Sequence, residues 1–485
     1  MPSFGQSLMA RGIGGVQIPF DANFDWPVAK YPVNVFRDRR GTFSTDYDGK
    51  QALSSIKAIF DGVAATTTGV YYVDIAKADD TGNGLTMATA KKSIRAARDL
   101  AEADGTKTAL IIYVKAGFYP IDHNFNGGTP TFPSKPTAVI AVNGRAVVTT
   151  AVKNITWALD GADTSNRTYN VTRSNTRWVL NRLAQDTHGD FAKFTRLASA
   201  ALVQTSVGIN AYFWDTGTNL LTAKRADGLP ISFENTAVLL GNEAMRTKTV
   251  SLYLSGVDVY GGVTGSLQCN DGGTFDVMAE DCTFHCNGYD YESPSATTQV
   301  NSITADFKGL LLLNRCGWSK SGGDGLNLHG FTVNAGDIAL GNRMFGLAIN
   351  CRGRDIGAPA IASCNHLTVH GTDDASGGTF EAACRMIAIN PDMAGSSGGM
   401  VAFGGANQVA LFGGTLDGDR GDAFANIASL AIGHSGTSKF FGYEVISRNN
   451  EISLKTEGNA IDYLRGFQPT GGRVTSLNNA QMIAI

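Results

Sequence analysis

Three stretches of the chain repeat one another, and this repetition constrains the fold more than any other feature. LLLLNRCG (residues 310–317) corresponds to GLAINCRG (346–353) and then to RMIAINPD (385–392), and GLNLHG (325–330) corresponds to HLTVHG (366–371). Each unit combines short apolar strands with Gly-rich turns and contains no amphipathic helix. Such a unit cannot bury its own apolar face and must stack on a copy of itself. The repeat therefore predicts an all-β fold of the β-solenoid type.

Composition agrees with this prediction and excludes two classes of function. The chain has 485 residues, of which 58 are glycine and only 17% are charged, a profile that suits many short strands joined by tight turns. A net charge of −3 argues against nucleic-acid binding, which usually requires a basic surface. No stretch of about 18 apolar residues is present, so we expect no membrane insertion.

The cysteines predict a buried stack of free thiols. Cys282, Cys316, Cys351 and Cys384 follow one another at intervals of 34, 35 and 33 residues, within apolar strand ends. The total of seven is odd and no CxxC spacing occurs, which favours small interior side chains over disulfides or a metal site. The amino terminus does not read as a secretion signal, so we expect synthesis in a reducing cytoplasm.

The chain divides into five regions by pattern. We predict a separate N-terminal segment (1–65), the start of the solenoid with one capping helix at 88–103 (66–121), irregular coils with an inserted β subdomain (122–248), the main coils (249–440) and C-terminal coils or a cap (441–485). The helix would be capped by Thr86 or Thr89. The N-terminal segment carries clustered aromatic residues and is too small to hold a core alone, so we expect it to pack on a partner or on copies of itself.

Two groups of motifs carry a family resemblance. The string YYVD, GNGLT, KSI and IYVKAGFY between residues 71 and 119 resembles the opening of pectin-lyase-like, right-handed parallel β-helix proteins. The turns DGLNLHG (324–330) and TVHG (368–371) resemble the catalytic-face coils of bacteriophage tail spikes of that class. The resemblance covers roughly residues 70–120 and 250–450. It implies a right-handed parallel β-helix and a homotrimeric tail or head spike on a virion, made in the host cytoplasm. Residues 1–65 would then be its virion-attachment or neck segment. Such a spike would act on capsule or O-antigen at the bacterial surface.

Carboxylates and histidines on the repeated coils are candidate catalytic residues. Parallel coils stack about 4.8 Å apart, so equivalent positions of successive coils become neighbours. The alignment places His329 beside His370 and Asp324 beside Asn365. Two carboxylates on adjacent coils would suit glycoside hydrolysis, in which one acid protonates the leaving oxygen and the other attacks or activates water. The candidates for catalysis are Asp324, Asp355, Asp373, Asp374, His329 and His370.

Each candidate also has a purely structural interpretation. An Asp in a GGDG turn commonly caps the bend through its own backbone, and histidines on adjacent coils commonly stack. Asn314, Asn350 and Asn390 predict a ladder of stacked amides.

Other residues are candidates for glycan contact. Aromatic faces pack on sugar rings, which points to Trp318, Tyr289 and Tyr291. Arg352 and Arg354 are candidates for neutralising an acidic sugar. No metal or cofactor is expected from the motifs, apart from a weak calcium candidate in DGDRGD (417–422).

Three functions remain open at this point. The first is a spike that recognises and hydrolyses a bacterial polysaccharide. The second is the same spike acting only as a glycan-binding adhesin. The third is a polysaccharide lyase, which would require a His or Lys base and a cation beside the uronate carboxylate. We favour hydrolysis over elimination because Asp outnumbers clustered Lys and Arg on the repeated coils.

Overall fold

The structure of the chain is a computed structural model. It describes residues 16–47, 67–126, 133–165, 167–288, 290, 300–330, 332–333, 342–357, 364–371, 373, 380–396, 398–418, 430–434, 436–470, 473–476 and 481–484. Within these residues the chain is mostly β, and 28 strands belong to one large, predominantly parallel sheet. No helix in the described part of the chain is both long and apolar enough to span a membrane.

The strands are numbered in chain order. The first fourteen are β1 (Val16–Ile18), β2 (Val35–Arg37), β3 (Phe43–Thr45), β4 (Thr68–Val73), β5 (Ala109–Tyr119), β6 (Thr137–Thr149), β7 (Ala158–Leu159), β8 (Thr168–Thr172), β9 (Thr176–Gln185), β10 (Phe191–Lys193), β11 (Thr195–Arg196), β12 (Ala211–Asp215), β13 (Leu220–Lys224) and β14 (Thr236–Leu240). The next fourteen are β15 (Met245–Thr247), β16 (Leu252–Ser255), β17 (Val257–Tyr260), β18 (Leu267–Thr274), β19 (Val277–Glu280), β20 (Thr283–His285), β21 (Ile303–Asn314), β22 (Gly317–Ser319), β23 (Leu326–Leu328), β24 (Thr332–Val333), β25 (Met344–Ile349), β26 (Arg352–Arg354), β27 (Asn365–Gly371) and β28 (Phe380–Glu381). The last thirteen are β29 (Arg385–Ile389), β30 (Asp392–Ala394), β31 (Gly398–Gly404), β32 (Gln408–Phe412), β33 (Thr415–Asp417), β34 (Leu430–His434), β35 (Lys439–Tyr443), β36 (Ile446–Arg448), β37 (Ile452–Thr456), β38 (Ile461–Arg465), β39 (Gln468–Thr470), β40 (Arg473–Ser476) and β41 (Gln481–Ala484).

The large sheet consists of three ladders of parallel strands that the chain visits in turn. Ladder A runs through β4, β5, β6, β16, β19, β21, β25, β29, β32, β35, β38 and β41. Ladder B runs through β6, β17, β20, β22, β26, β30, β33, β36 and β39. Ladder C runs through β15, β18, β21, β23, β27, β31, β34, β37 and β40. This arrangement is compatible with a parallel β-helix.

The corners between ladders A and B explain part of the repeat. From β16 to β38, the residue after each ladder A strand has a left-handed backbone, as at Arg315, Asn350 and Asn390, with φ of 54°, 52° and 49°. Asparagine tolerates this conformation well, and Asn390 donates to Asn350 Oδ1 at 3.0 Å. Asn314 is not part of this stack, because its register partner is Ile349 and Arg315 takes the corner position. The predicted three-membered amide ladder is therefore wrong by one residue at its first member.

The cysteine prediction is confirmed for burial and corrected for one position. All seven cysteines are buried and free. Cys282, Cys316 and Cys351 each precede a ladder B strand and stack in register. Cys384 lies 33 residues after Cys351, but the two coils are offset by 40 residues, as the pairing of β25 with β29 shows. Cys384 therefore precedes a ladder A strand and not a ladder B strand.

Helix α1 (Ile94–Ala103) is shorter than the sequence predicts. It begins at Ile94 because the Ser93 side chain accepts from Ala96 N at 3.2 Å and caps the first turn. Thr86 and Thr89, the predicted caps, instead hydrogen-bond each other in the preceding turn. A second helix, α2 (Ala200–Thr205), also lies within the described residues.

Strands β7 to β14 form two smaller sheets apart from the ladders. One has the order β11-β12-β13-β8-β7 and the other the order β10-β9-β14. We call this region, residues 158–240, the insert. Strands β12 and β13 pair antiparallel as a hairpin. The insert rests on the first coils through aromatic contacts, including Arg182 over Phe118 at 3.9 Å and Phe191 beside Tyr260 at 5.0 Å.

The N-terminal residues 16–47 pack on the outer face of ladder A of the same chain, a contact that the sequence pattern did not predict. Trp26 contacts Phe345 edge-on with ring centroids 5.6 Å apart, and Phe24 contacts Phe441 at 5.2 Å. Tyr31 Oη donates to Asp276 Oδ1 at 2.9 Å. Ladder A strands are thereby buried on both faces, which explains their continuous apolar runs.

Candidate functional site

The β9–β10 hairpin ends in a tight acidic turn, Asp186–Asp190, that projects from the insert. The Asp186 backbone N–H donates to Asp190 O at 2.9 Å, and Gly189 takes a left-handed φ of 86° that closes the turn. Asp186 Oδ1 accepts from the backbone N–H groups of His188 and Asp190, at 2.9 and 3.1 Å. The second oxygen of Asp186 forms an ion pair outside the turn, with Lys320.

Ladder B supplies the surface on which this turn rests. Tyr260, His285 and Ser319 are in register on successive strands, on the outward-facing side. The residues that follow strands β22 and β26, Lys320 and Asp355, have left-handed φ values of 54° and 49°. This corner geometry brings Lys320 and Asp355 to the edge of the ladder nearest the turn. We call Asp186, His188, Asp190, His285, Ser319, Lys320 and Asp355 together the hairpin cluster.

The floor of the hairpin cluster is a buried polar network centred on Asp190. Asp190 Oδ2 accepts from Ser319 Oγ at 2.6 Å and from Lys320 Nζ at 3.2 Å. Lys320 also forms an ion pair with Asp186. His285 Nδ1 lies 2.8 Å from Ser319 Oγ. Its Nε2 lies 3.4 Å from Asp190 Oδ1, close enough for charge interaction but not aligned as a hydrogen bond.

Electrostatics fix the charge states of this floor at neutral pH. Burial by itself would raise the pKa of Asp190. The charge that His285 carries when protonated, the charge of Lys320 and the Ser319 hydrogen bond outweigh burial and lower that pKa to about 2. Burial lowers the pKa of His285. Burial also opposes the charge on Lys320, yet Asp190 and Asp186 raise its pKa overall. The floor therefore holds an ionised Asp190, a charged Lys320 and a neutral His285.

The rim of the hairpin cluster is open to solvent. The side chain of Asp355 is 39% exposed, and those of Asp186 and His188 are each 23% exposed. His188 Nε2 lies 2.9 Å from Asp355 Oδ2, while its backbone N–H contacts Asp186. One histidine residue thus links two carboxylates that solvent can reach. Asp355 was a candidate from sequence, whereas Asp186, His188 and Asp190 were missed because the repeat does not extend to the insert.

Asp324 lies in a structural stack. It is completely buried and belongs to a corner column with Asn301 and Asn365. Its backbone N–H donates to Asn301 Oδ1 at 3.2 Å, and its own Oδ1 accepts from the Asn365 backbone N–H at 2.8 Å. Its Oδ2 accepts from Asn327 Nδ2 at 3.2 Å. Neither oxygen is available to a substrate.

Asp373 is held by an arginine. Arg343 Nη1 contacts both Asp373 oxygens at 2.8 and 2.7 Å, and Ala383 N donates to Oδ1 at 2.8 Å. The carboxylate thus anchors the start of the next ladder A strand. Asp374 lies outside the described residues.

His329 and His370 stack as the alignment predicts. Their ring centroids are 5.0 Å apart with an interplanar angle of 24°. Burial, with the nearby His329 as a smaller cause, lowers the pKa of His370 to about 4. His329 Nδ1 lies 3.1 Å from Gly330 O. The stacked pair belongs to ladder C, whereas the hairpin cluster lies on ladder B.

The aromatic candidates give no exposed platform in the described residues. Trp318 is only 1% exposed, because its register places it inside the ladders between Phe284 and Gly353. Gly353 provides the space, since a Cβ there would lie 2.6 Å from the indole nitrogen. The ring therefore offers no face to a sugar. Tyr289 and Tyr291 lie outside the described residues.

The two candidate arginines differ in availability. Arg354 donates to Gly353 O and Asp392 O, both at 2.7 Å, and forms an ion pair with Asp392. Arg352 is exposed on the outward side of ladder B, next to Gly317, which carries no side chain. Arg352 has no ion pair among the described residues, so it is the cation more open to a ligand.

The motif DGDRGD (417–422) was the sequence candidate for a calcium site. In the described part of the chain, no group of three or more His, Cys, Asp or Glu side chains is arranged to hold a metal ion. At the start of the calcium candidate, Asp417 bonds Arg448 and Asn449. The remainder of that motif beyond residue 418 lies outside the described residues.

Comparison with known proteins gives only distant likenesses. No protein-family model and no curated protein matches the chain. A solved structure titled "Glycoside hydrolase" is 10% identical, with a TM-score of 0.41, over 85% of this chain and 96% of that chain. Another, titled "The complex structure of XylC with xylose", is 8% identical, with a TM-score of 0.36, over 83% of this chain and 70% of that chain. At this distance neither likeness bears on substrate or mechanism.

Proposed function

We propose that this chain binds a polysaccharide along ladder B and cleaves it by glycoside hydrolysis at the rim of the hairpin cluster. The observation that carries the proposal is the solvent-reachable pair Asp186 and Asp355, linked by His188 above a buried, charged floor. Pairs of carboxyl groups flanking one bond are the usual equipment for this reaction. The structural role of Asp324 removes the strongest competing carboxylate from the coil face.

In the proposed reaction, one rim carboxyl group protonates the leaving glycosidic oxygen. The other activates a water on the opposite side of the sugar, and His188 keeps the two groups apart and oriented. The floor supports this arrangement, because Lys320 binds both Asp186 and the ionised Asp190. Arg352, exposed on the same ladder, is placed to contact an acidic substituent of the chain being cut.

Two alternatives use the same surface. A lyase would abstract a proton with His188 and neutralise a uronate with a cation. The cluster favours hydrolysis, since it holds three carboxylates while its one cation, Lys320, is buried and already paired. An adhesin would bind along ladder B without cleaving, with the hairpin cluster serving only to dock the insert.

The finer assignments rest on the sequence resemblance and are part of the same proposal. The ladders would close as a right-handed parallel β-helix, and three chains would associate as a virion spike for capsule or O-antigen. Residues 1–65 would attach it to the particle, and the insert would lie within region 122–248. A homotrimer would add multivalent grip on a repeating glycan.

The test is cleavage of purified bacterial capsule and O-antigen polysaccharides by the full chain. Reducing ends and unsaturated-uronate absorbance would be followed together. We expect reducing ends alone, and a loss of at least about a hundredfold in turnover for Asp186→Asn or Asp355→Asn. The matched control, Asp79→Asn in an exposed turn, should retain activity. Unsaturated product would establish a lyase, and binding without cleavage by the unaltered chain would establish an adhesin.

A further inference from the structure

The insert carries a pocket that shares no lining residue with the hairpin cluster. Its volume is about 410 Å³, and it lies between three segments: residues 162–165 with Arg167, the end of α2 with the loop to residue 209, and the end of β13 with residues 225 and 226. Neither the proposed cleavage nor the docking of the insert uses it.

The charged groups around this pocket are unbalanced. Arg167, Lys224 and Arg225 line it, and Asp163 is the single carboxylate among its lining residues. Asp163 is fully engaged within its own turn. Its Oδ1 accepts from the Ser165 N–H and hydroxyl at 2.8 and 2.6 Å, and its Oδ2 accepts from Arg167 N and Thr168 N. It therefore presents little free acceptor to a ligand.

The three cations differ in what already holds them. Lys224 Nζ donates to the neutral carbonyl of Gln204 at 2.5 Å, so its charge is not compensated there. Arg225 forms an ion pair with Asp227. Arg167 is exposed at the pocket and has no ion-pair partner among the described residues. The pocket therefore has a net positive character, with Arg167 free to bind an anion.

The rim beside these cations is aliphatic. Val207 is 89% exposed and Ile209 is 40% exposed, both in the loop that lines the pocket. A cationic floor next to apolar C–H surface matches a sugar ring that carries an acidic group. The ring packs its C–H face on the aliphatic side chains, and the acid group binds the guanidinium.

We propose that this pocket is a second, non-catalytic subsite for an acidic sugar, one bearing a carboxylate, sulfate or phosphate. A subsite on the insert would raise the avidity of the protein for an acidic polysaccharide without taking part in bond cleavage. The inference deepens the proposed function by naming a substrate class, but the pocket itself can be tested independently.

The experiment measures binding of monosaccharides to the full chain by saturation-transfer-difference NMR. Glucuronate and N-acetylneuraminate are compared with glucose, in the unaltered protein and in Arg167→Gln. The control is Lys153→Gln, which removes an exposed positive charge that does not line the pocket. We expect saturation transfer to the acidic sugars and not to glucose. Arg167→Gln should reduce the affinity for the acidic sugars at least about tenfold, the scale of one charge-assisted hydrogen bond. Lys153→Gln should leave that affinity unchanged.

Three results would overturn the proposal. Glucose could bind as well as glucuronate, or Arg167→Gln could retain full affinity for the acidic sugars. The third is that inorganic phosphate shifts the melting temperature in an Arg167-dependent manner while no acidic sugar binds, which would identify a site for free anions. Because these monosaccharides contain no glycosidic bond, failure here is distinct from failure of the cleavage test.

Discussion

At the scale of single residues, Asp324 shows that the residues stacked on either side of a carboxylate indicate whether its role is structural or catalytic. The GGDG turn that holds it is compatible with catalysis and with capping. Asn301 uses its side-chain oxygen in the same way, by accepting from Asp324 N, and Asn365 occupies the same position on the next coil. A position filled by Asn on both adjacent coils requires an acceptor and not a charge. This information is present in the sequence once the register of ladder C is known.

Asp324→Asn should therefore leave both stability and glycan cleavage nearly unchanged. The new amide oxygen can still accept from Asn365 N, and Asn327 can turn its amide so that its otherwise unbonded Oδ1 accepts from the new NH₂ group. Asp324→Ala removes the acceptor, leaves a buried N–H unpaired and should cost about 1–3 kcal/mol of unfolding free energy. Thermal melts of both variants test this. A large loss of activity in a fully stable Asp324→Asn protein would return Asp324 to the active site.

At the scale of elements, the accuracy of the sequence alignment differs between ladders. In ladder C the offset of 41 residues is correct, and it places His329 on His370 and Asp324 beside Asn365. In ladder A an alignment on Asn314 and Asn350 gives 36, whereas the strands pair with an offset of 35. The left-handed corner accepts Arg315 as well as Asn350, so residue identity alone does not fix the register there.

The site could be predicted only in part, for a related reason. Asp355 and Trp318 lie on repeated coils, yet their environments depend on which side of ladder B each one faces. The acidic turn 186–190 comes from the insert, which has no internal repeat. Nothing in its sequence specifies where it docks, because that contact is set by the packing of Phe191 on Tyr260 and by Lys320 between two carboxylates.

The stacked histidines predict a pH dependence of stability. The pKa of His370 is about 4 in the folded chain and roughly 6.5 in an unfolded one. Between these values the unfolded chain binds more protons, so stability rises with pH. The contribution of His370 to the free energy of unfolding is fully present above about pH 6.5. It is lost as the pH falls towards 4, and the total loss is about 3 kcal/mol.

Calorimetric melts between pH 4 and 7 measure this effect. His370→Gln should flatten the dependence in that window, and His329→Gln, which removes the smaller cause, should flatten it less. Identical pH profiles for His370→Gln and the unaltered chain would show that the stack does not control acid stability.

At the scale of the whole molecule, the N-terminal segment and the ladders form one packed unit. Residues 16–47 cover an apolar face of ladder A that extends from Leu310 to Tyr463. Polar contacts fix the position of the segment: Asp25 N donates to Gln408 Oε1 at 2.7 Å, and Asn390 Nδ2 donates to Phe43 O at 2.7 Å. If the N-terminal segment also attaches the chain to a particle, it does so in addition to covering ladder A.

Deleting residues 1–47 should destabilise the ladders and not merely detach a tail. The deletion removes Trp26, Phe24, Tyr31 and Phe43 from contact with ladder A, and loss of even one such aromatic side chain typically costs about 3–5 kcal/mol. The exposed face should bind a hydrophobic dye and promote aggregation. We expect a melting temperature lower by several degrees or more, while deletion of residues 1–15 alone, which removes none of these contacts, should have little effect. If the longer deletion melts like the full chain and binds no dye, ladder A does not depend on this cover.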